Sequence, residues 1–185
     1  GNQTMSGGLL DLKADNLNLG GTFSGASDIN ISTVTNGTSI GLGDGTGGNL
    51  HLSSADLAAM AGANSYTFGN SAVSASITVA ANSWTGNLNI STTNSNVNVT
   101  GHQTMLSGKD MSINSGTGGA VNINGNISGG RNLTIVSDSL QLDSDVSGTG
   151  TIAISSSNAA VDVGVGTGAA GGLQLDDTEL SHIKD

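Results

Sequence analysis

The most frequent local pattern in the chain is an aliphatic residue, one polar residue and a second aliphatic residue. A spacing of two places both aliphatic side chains on one face of a β-strand and turns the residue between them to solvent. Strands this short, separated by turns rich in Gly, Asn, Ser and Asp, cannot bury a core singly and must stack. The pattern therefore predicts an all-β fold. Its pairs are Leu10/Leu12, Leu17/Leu19, Ile29/Ile31, Ile40/Leu42, Leu50/Leu52, Leu88/Ile90, Val97/Val99, Met111/Ile113, Val121/Ile123, Leu133/Ile135, Leu140/Leu142, Ile152/Ile154 and Leu173/Leu175.

A longer repeat relates the two ends of the chain. Shifting the sequence by 123 residues aligns residues 1–62 with 124–185, so that Leu10 falls on Leu133 and Ile29 on Ile152. So many apolar and glycine coincidences at one offset indicate about one and a half copies of a long repeat within a single solenoid segment, 1–185. Further matches are Leu12 with Ile135, Leu17 with Leu140, Leu19 with Leu142, Ile31 with Ile154, Ile40 with Val163, Leu42 with Val165, Leu50 with Leu173, Leu52 with Leu175, Leu57 with Leu180 and Met60 with Ile183.

The spacing of successive pairs predicts the size of one coil. Leu10 and Ile29 are 19 residues apart, and Ile29 and Leu50 are 21 apart. Coils of about 20 residues, each with two or three short strands, are typical of a right-handed parallel β-helix. We expect about nine coils, which at the usual strand spacing form a rod on the order of 40 Å long.

Two segments depart from the strand pattern. Residues 53–60 carry Ser53 with Asp56 three positions later, and residues 176–183 carry Asp176 with Glu179. Both resemble a capping box before a short helix. We expect one or two helical turns at corresponding corners, and an irregular loop is the alternative. The residues expected to cover the core there are Leu57, Met60, Leu180 and Ile183.

Composition excludes several classes of protein. The chain has 30 glycines, no cysteine and no proline, and its net charge is −10 with four Lys plus Arg. It therefore has no disulfide or cysteine-based metal site, and it lacks the basic surface that binds nucleic acid or anionic lipid. No apolar run reaches the roughly 20 residues that span a bilayer.

The same composition is compatible with disorder, but evenly spaced aliphatic pairs favour a folded chain. Absent proline suits a strand-rich solenoid, because each missing N–H would break a ladder bond. The abundant Asn suits side-chain ladders or left-handed turns. Gly1 does not begin a signal peptide, so we expect either a segment from within a longer chain or one that has lost its leader.

Carboxylates are the best candidates for chemistry, since β-helical polysaccharide lyases and hydrolases place acids on one strand face. Asp15 aligns with Asp138 at the 123-residue offset, but the other acids are not kept between the copies. With few cations to stabilise a developing anion, we expect no enzyme. A β-helical polysaccharide-active enzyme stays an alternative. The acids that could line a face are Asp11, Asp15 and Asp28 in the first copy and Asp138, Asp143, Asp145 and Asp162 in the second.

Metal ligands are sparse. His51 aligns with Gln174, and glutamine in place of a zinc ligand would abolish the site, so we expect a surface histidine. Asp176, Asp177 and Glu179 are compatible with a calcium site, but a solvated acidic helix start explains them as well and is favoured. The sequence designates no catalytic, cofactor-binding or metal-binding residue.

Two aligned segments carry a family resemblance: GTSIGLGDGTGGNLHLSSADLAAM (37–60) and DVGVGTGAAGGLQLDDTELSHI (162–183). They resemble the repeat of very large bacterial exoproteins of the filamentous haemagglutinin type, which are adhesins exported by two-partner secretion. The resemblance implies a right-handed parallel β-helical shaft, secreted or on the cell surface, and brings no catalytic residue. The family's export domain has no match in this chain, so that route is inferred for a parent chain only.

The expected function is a structural shaft segment of a large bacterial adhesin, in cell adhesion or biofilm formation. The expected partners are neighbouring coils of the same long chain or end-to-end copies, surface glycans or cell surfaces, and an outer-membrane transporter during export. Neither nucleic acid nor a membrane span is expected, and no cofactor. A self-assembling extracellular fibre subunit is the first alternative, because the ends of a β-helix expose open strand edges.

Overall fold

Short parallel strands and two brief helices follow one another along the chain in a computed structural model, which describes residues 1–70 and 75–184. In chain order they are β1 (Gln3–Thr4), β2 (Leu9–Lys13), β3 (Phe23–Ser24), β4 (Asp28–Ser32), β5 (Ile40–Leu42), β6 (Leu50–Leu52), α1 (Ser54–Ala59), β7 (Ser65–Gly69), β8 (Ile77–Val79), β9 (Asn82–Trp84), β10 (Asn87–Ser91), β11 (Val97–Val99), β12 (Gln103–Met105), β13 (Met111–Ile123), β14 (Ile127–Gly129), β15 (Leu133–Leu142), β16 (Val146–Ser147), β17 (Ile152–Ser155), β18 (Val163–Val165), β19 (Leu173–Leu175), α2 (Asp177–Ser181) and β20 (Ile183–Lys184).

The strands stack on three faces of a parallel β-solenoid, which confirms the predicted fold class. The first face runs β2-β4-β7-β10-β13-β15-β17, and the second runs β6-β5-β8-β11-β13-β15, because β13 and β15 each turn a corner. The third face runs β9-β12-β14-β16-β20. In addition, β1 pairs with β3 and β18 pairs with β19.

Inward side chains form continuous ranks along the axis. One rank of the first face consists of Leu10, Ile29, Tyr66, Leu88, Met111, Leu133 and Ile152, each directly opposite the next in register. A rank of the second face consists of Leu50, Ile40, Ile77, Val97, Val121 and Leu140. The apolar core is the column of these ranks, so each coil buries its side chains against the coils before and after it.

The structure has about seven coils, so the expectation of nine is wrong. Ile29 does follow Leu10 on the first face, but its next neighbour is Tyr66, because Leu50 pairs with Ile40 on the second face. The coil between β4 and β7 is therefore long and holds β5, β6 and α1 together. Seven stacked strands give a rod about 30 Å long.

A tight seven-residue loop, 43–49, brings β6 beside β5 in the same direction. Ile40 lies opposite Leu50, and this close approach requires glycine at one position in β5 and at one in the loop. A Cβ at Gly41 would lie 2.5 Å from the Gly47 carbonyl oxygen, and one at Gly48 would lie 2.6 Å from the Gly41 nitrogen. The second copy repeats this loop, since Val163 lies opposite Leu173.

Both predicted helices form, each with its capping box. Ser53 Oγ accepts from the Asp56 N–H at 3.2 Å, and the Asp56 carboxylate accepts from the Ser53 N–H at 2.9 Å. Asp176 and Glu179 make the same reciprocal bonds at 2.9 and 3.1 Å. The local sequence therefore defines both helix starts.

The apolar residues of the two helical corners differ in burial. Leu57 and Met60 are buried as expected, whereas Leu180 and Ile183 are only half-buried. The difference arises because the following coil covers α1: the Tyr66 hydroxyl donates to the Met60 carbonyl at 3.3 Å. No described coil follows α2.

Glycine alone takes the left-handed conformation among the described residues, so the expectation of asparagine at such turns is wrong. Asn114 instead supports a glycine turn, since its Oδ1 accepts from the Gly116 N–H at 2.8 Å. Gly116 has φ +69°, and a Cβ there would overlap the carbonyl oxygen of Thr93 in the preceding coil. Gly118 has φ +77°, but a Cβ there would meet nothing within 4 Å.

These two glycines provide a matched test of coil packing. We expect Gly118→Ala to cost about 1–2 kcal/mol, since only the left-handed conformation is strained. Gly116→Ala carries the same strain and also forces two coils apart, so we expect a cost of about 3–4 kcal/mol. Urea unfolding followed by Trp84 fluorescence measures both, and equal costs would contradict the close approach of the two coils.

Candidate functional site

The outward positions of the strands form ranks of small polar side chains. On the second face, Asn122 Nδ2 donates to Asn98 Oδ1 of the neighbouring coil at 2.8 Å, as expected for an asparagine ladder. The first-face rank contains no aromatic residue that could stack on a sugar ring. The outward surface therefore repeats similar hydrogen-bond donors and acceptors from coil to coil. The first-face rank is Asp11, Asn30, Thr67, Asn89, Ser112, Thr134 and Ala153.

The three histidines lie in different parts of the chain and have different partners. His51 alternates outward between buried leucines, as predicted, and its Nε2 lies 3.1 Å from the Gly43 carbonyl oxygen. His102 Nε2 lies 2.7 Å from Ser128 Oγ, and His182 Nδ1 lies 2.8 Å from Asp145 Oδ1. Within 1–70 and 75–184, no three His, Asp or Glu side chains are grouped to hold a metal ion.

Asp138 closes a turn between coils. Its Oδ1 accepts from the N–H groups of Ser157 and Asn158, both at 2.9 Å, and its Oδ2 accepts from the Gly118 N–H at 2.7 Å. Desolvation raises the pKa of Asp138, but these donors and the Ser157 hydroxyl together outweigh it and hold the pKa below its ordinary value. The carboxylate thus ties together three successive coils.

Asp15, the counterpart of Asp138, makes the same kind of turn. The N–H groups of Val34 and Thr35 both donate to its Oδ1 at 2.9 Å, and the Thr35 hydroxyl donates to its Oδ2 at 2.5 Å. The Thr35 hydroxyl and N–H are the main causes that lower the pKa of Asp15. The two aspartates that the repeat keeps are therefore hydrogen-bonded to backbone, as structural acceptors.

A second contact recurs in the two copies with its residue types exchanged. In the first copy Asp44 Oδ1 accepts from the Ser54 N–H at 3.1 Å, a bond that lowers the pKa of Asp44. In the second copy Thr167 stands at the position of Asp44, and Asp177 stands at the position of Ser54. There the Thr167 hydroxyl donates to Asp177 Oδ2 at 2.9 Å. Asp177 bonds Thr167 while Asp176 and Glu179 form the capping box, so all three acids considered for calcium already accept hydrogen bonds.

The remaining acids considered for catalysis lie on separate turns or strands. Asp28 accepts from the Ser65 hydroxyl at 2.5 Å, and Asp11 lies 4.0 Å from Lys13 Nζ. Asp143 follows β15 and accepts from Gln141 at 2.9 Å, whereas Asp162 precedes β18.

Sequence reasoning did not identify the ion pair between Asp110 and Arg131. Arg131 Nη2 donates to Asp110 Oδ2 at 2.7 Å and its Nε donates to Oδ1 at 3.1 Å. The Arg131 hydrogen bonds are the first cause that lowers the pKa of Asp110, and the pKa of Arg131 is raised in turn. The one sequence signal for this ion pair is that Arg131 is the only arginine in the chain.

Several grooves lie among the described residues. A groove of about 420 Å³ beside β19 is lined by Ser139, Gly171, Gln174, Asp176 and Glu179 among others. Its two carboxylates already serve the α2 capping box, and Glu179 Oε1 also accepts from the Leu142 N–H at 3.3 Å. The groove is therefore part of the coil packing at this corner.

Exposed apolar side chains lie beside unpaired strands at the two ends of the solenoid, whereas Val34 and Leu106 are exposed in loops between strands. Val163 and Val165 are 47% and 61% exposed, whereas their counterparts Ile40 and Leu42 are 2% and 0% exposed. At the other end Leu9 is 53% exposed, and Leu10 and Leu12 are half-buried. The ends are the places where this chain presents unpaired strands together with apolar surface.

Comparison with protein-family models, with curated proteins and with solved structures finds no match to this chain. Neither α1 nor α2 is long and apolar enough to cross a membrane, and the described residues contain no other helix.

Replacing Asp138 tests the turn that links the coils. Asn cannot accept from all four donors, so we expect Asp138→Asn to lower the free energy of unfolding by about 1–2 kcal/mol. Asp143→Asn, an exposed change on the same coil, is the matched control and should stay within about 0.5 kcal/mol. Urea unfolding at pH 7 measures both, and equal effects would refute the role given to Asp138.

We expect the effect of Asp138→Asn on the free energy of unfolding to depend on pH. Because the folded pKa of Asp138 and of Asp15 is lowered, their stabilisation is present above the ordinary aspartate pKa of about 4 and is lost as pH falls through the folded pKa. We expect the stability gap between the wild type and Asp138→Asn to narrow between about pH 5 and pH 2. A gap that widens on acidification would contradict this assignment.

Proposed function

We propose that this chain is a structural shaft segment of a large secreted or surface-exposed bacterial adhesin, acting in cell adhesion or biofilm formation. The observation that carries the proposal is the set of inward ranks running in register from the first coil to the last. A solenoid of this kind gains length with each coil, because each coil contacts only its neighbours.

The use of the charged side chains supports a structural role. Asp15, Asp44, Asp138 and Asp177 each accept backbone N–H or hydroxyl bonds from a neighbouring turn. These acids stabilise the corners of coils and are not collected around a cleft. A shaft needs this arrangement, since every coil must hold its shape without a ligand.

The finer proposal places the shaft among exoproteins of the filamentous haemagglutinin type, exported by two-partner secretion through an outer-membrane transporter. The repeat segments 37–60 and 162–183 support it. A chain that crosses a pore unfolded benefits from having no cysteine to crosslink early and no X–Pro bond to isomerise slowly.

A self-assembling fibre subunit is the second candidate, and the open strand edges of β2 and β17 favour it. A subunit would associate head to tail at micromolar concentration, whereas a shaft segment would keep its length at any concentration. Sedimentation across a concentration series separates the two candidates.

The shaft role is tested by display on a bacterial surface. Residues 1–185 are placed between an outer-membrane anchor and a small antigen-binding domain, and a longer version joins residues 1–130 to 8–185 in the 123-residue register. The added five coils should move the binding domain outward by about 24 Å. We expect antigen-coated beads to attach to both strains and to reach the longer one more readily through a surface polysaccharide layer.

The control strain displays the same segment without the antigen-binding domain. We expect it to bind neither beads nor host cells. Saturable attachment of that control strain to cells or glycans would replace the shaft role with direct ligand binding.

A further inference from the structure

The C-terminal end of the solenoid, formed by the outer edges of β17, β18 and β20, carries an interaction surface. We propose that it is a docking surface for one kind of partner, a solenoid coil with the inward residues of segment 63–85. The inference rests on the proposed shaft role only in taking coil-on-coil stacking as the mode of contact.

The 123-residue repeat shows what covers an equivalent surface. At this offset β17 and β18 align with β4 and β5, and Ile183 aligns with Met60. In the first copy β4 pairs with β7 and β5 pairs with β8, while the Tyr66 hydroxyl bonds the Met60 carbonyl. The described residues of segment 63–85 therefore cover all three parts of the first-copy surface.

The exposure of matched residues shows that the second-copy surface lacks this cover. Ile29 and Ile31 are each 1% exposed, whereas Ile152 and Ile154, identical in type, are only half-buried. Val163 and Val165 are exposed where Ile40 and Leu42 are buried. The C-terminal end thus presents an apolar surface that the first copy keeps inside.

Backbone groups at the same edge match as well. The Ile40 N–H donates to the Ser76 carbonyl at 3.0 Å, and the Leu42 carbonyl accepts from the Ala80 N–H at 2.8 Å. The corresponding groups of Val163 and Val165 lie on the edge of β18 opposite β19, where no described strand pairs. An incoming strand equivalent to β8 would complete both bonds.

A glycine turn keeps room for the same neighbour. A Cβ at Gly43, with φ +90°, would lie 3.0 Å from Ala80 Cβ of the covering coil. Gly166 has nearly the same φ, +91°, and a Cβ there would meet only Asp177 Oδ1, at 3.7 Å. The space that Ala80 occupies beside Gly43 is therefore also present, and unfilled, beside Gly166.

The covering coil is distinctive because it is aromatic. Tyr66 and Phe68 stack in register on Ile29 and Ile31, and Trp84 lies 5.5 and 5.6 Å from their ring centroids. Since Ile152 and Ile154 keep the residue types of Ile29 and Ile31, the first-face part of the acceptor surface keeps the side chains on which this aromatic group stacks.

A second copy of the chain fits this surface less well. Its N-terminal edge is β2, which aligns with β15, and the neighbour of β15 on that side is β13. Stacking β2 on β17 would therefore join two coil types that are not adjacent in the repeat. The observed adjacency favours the coil type of 63–85.

The experiment appends residues 63–85 directly after residue 185, in the 123-residue register. Appending residues 86–108, which has the same length, is the matched control. We expect the first extension to raise the urea midpoint and to slow amide exchange of Ile152–Ser155 roughly tenfold or more. We expect the control extension to give a clearly smaller effect on both measurements.

A double substitution, Val163→Asn with Val165→Asn, tests the acceptor surface itself. In the unextended chain both side chains are exposed, so we expect the urea midpoint to stay unchanged. In the chain extended by 63–85 they would be buried, and we expect the substitution to reverse most of the gain in midpoint and exchange protection.

Several results would overturn the proposal. One is equal protection by the two extensions, and another is protection by neither of them. A third is oligomerisation of the unextended chain that the valine substitutions abolish, because a second copy would then be the occupant. The proposed shaft role is tested separately by bead attachment, so either idea can fail while the other stands.

Discussion

The structure depends on the axial stacking of inward aliphatic side chains in register. No single coil encloses a core, so Ile113 is buried only because Ile90 precedes it and Ile135 follows it. The hydrogen bonds between parallel strands also run along the solenoid axis, and they fix the same register as the side-chain stacking. Absent proline and abundant glycine follow from this constraint: the ladder needs every N–H, and the turns between coils leave no room for a Cβ at Gly116.

The polar chemistry follows from the same constraint. A coil must change direction at each corner, and the backbone groups of a turn lose their ladder partners there. Asp138 satisfies three such N–H groups from two neighbouring coils, and Asp15 satisfies two. Buried Gln103 satisfies polar groups of the interior in a similar way. Its amide nitrogen donates to the carbonyls of Ala80 and Gly101, and its amide oxygen accepts from Trp84 Nε1 at 2.9 Å. Polar side chains are thus used along the whole rod to stabilise corners.

Sequence could predict what is local or strictly periodic. The period of two identifies inward residues such as Ile29 and Ile31, and the capping boxes at Ser53 and Asp176 identify both helices. It could not assign Leu50 to a face, because an aliphatic pair looks the same on every face of a solenoid. That error produced the count of nine coils. The Asp110–Arg131 pair was missed because it joins residues one coil apart, and coil register is known only from the fold.

The two copies of the repeat separate the influence of sequence from that of neighbours. Ile40 and Val163 occupy the same position in the same strand–loop–strand unit, paired with Leu50 and Leu173 in the same register. One is buried and the other is about half exposed. The loop forms in both, so local sequence and its glycines are sufficient for its shape. Burial is supplied by the next coil, which means that an aliphatic pair in a solenoid describes a contact between coils and its full stabilisation requires both of them.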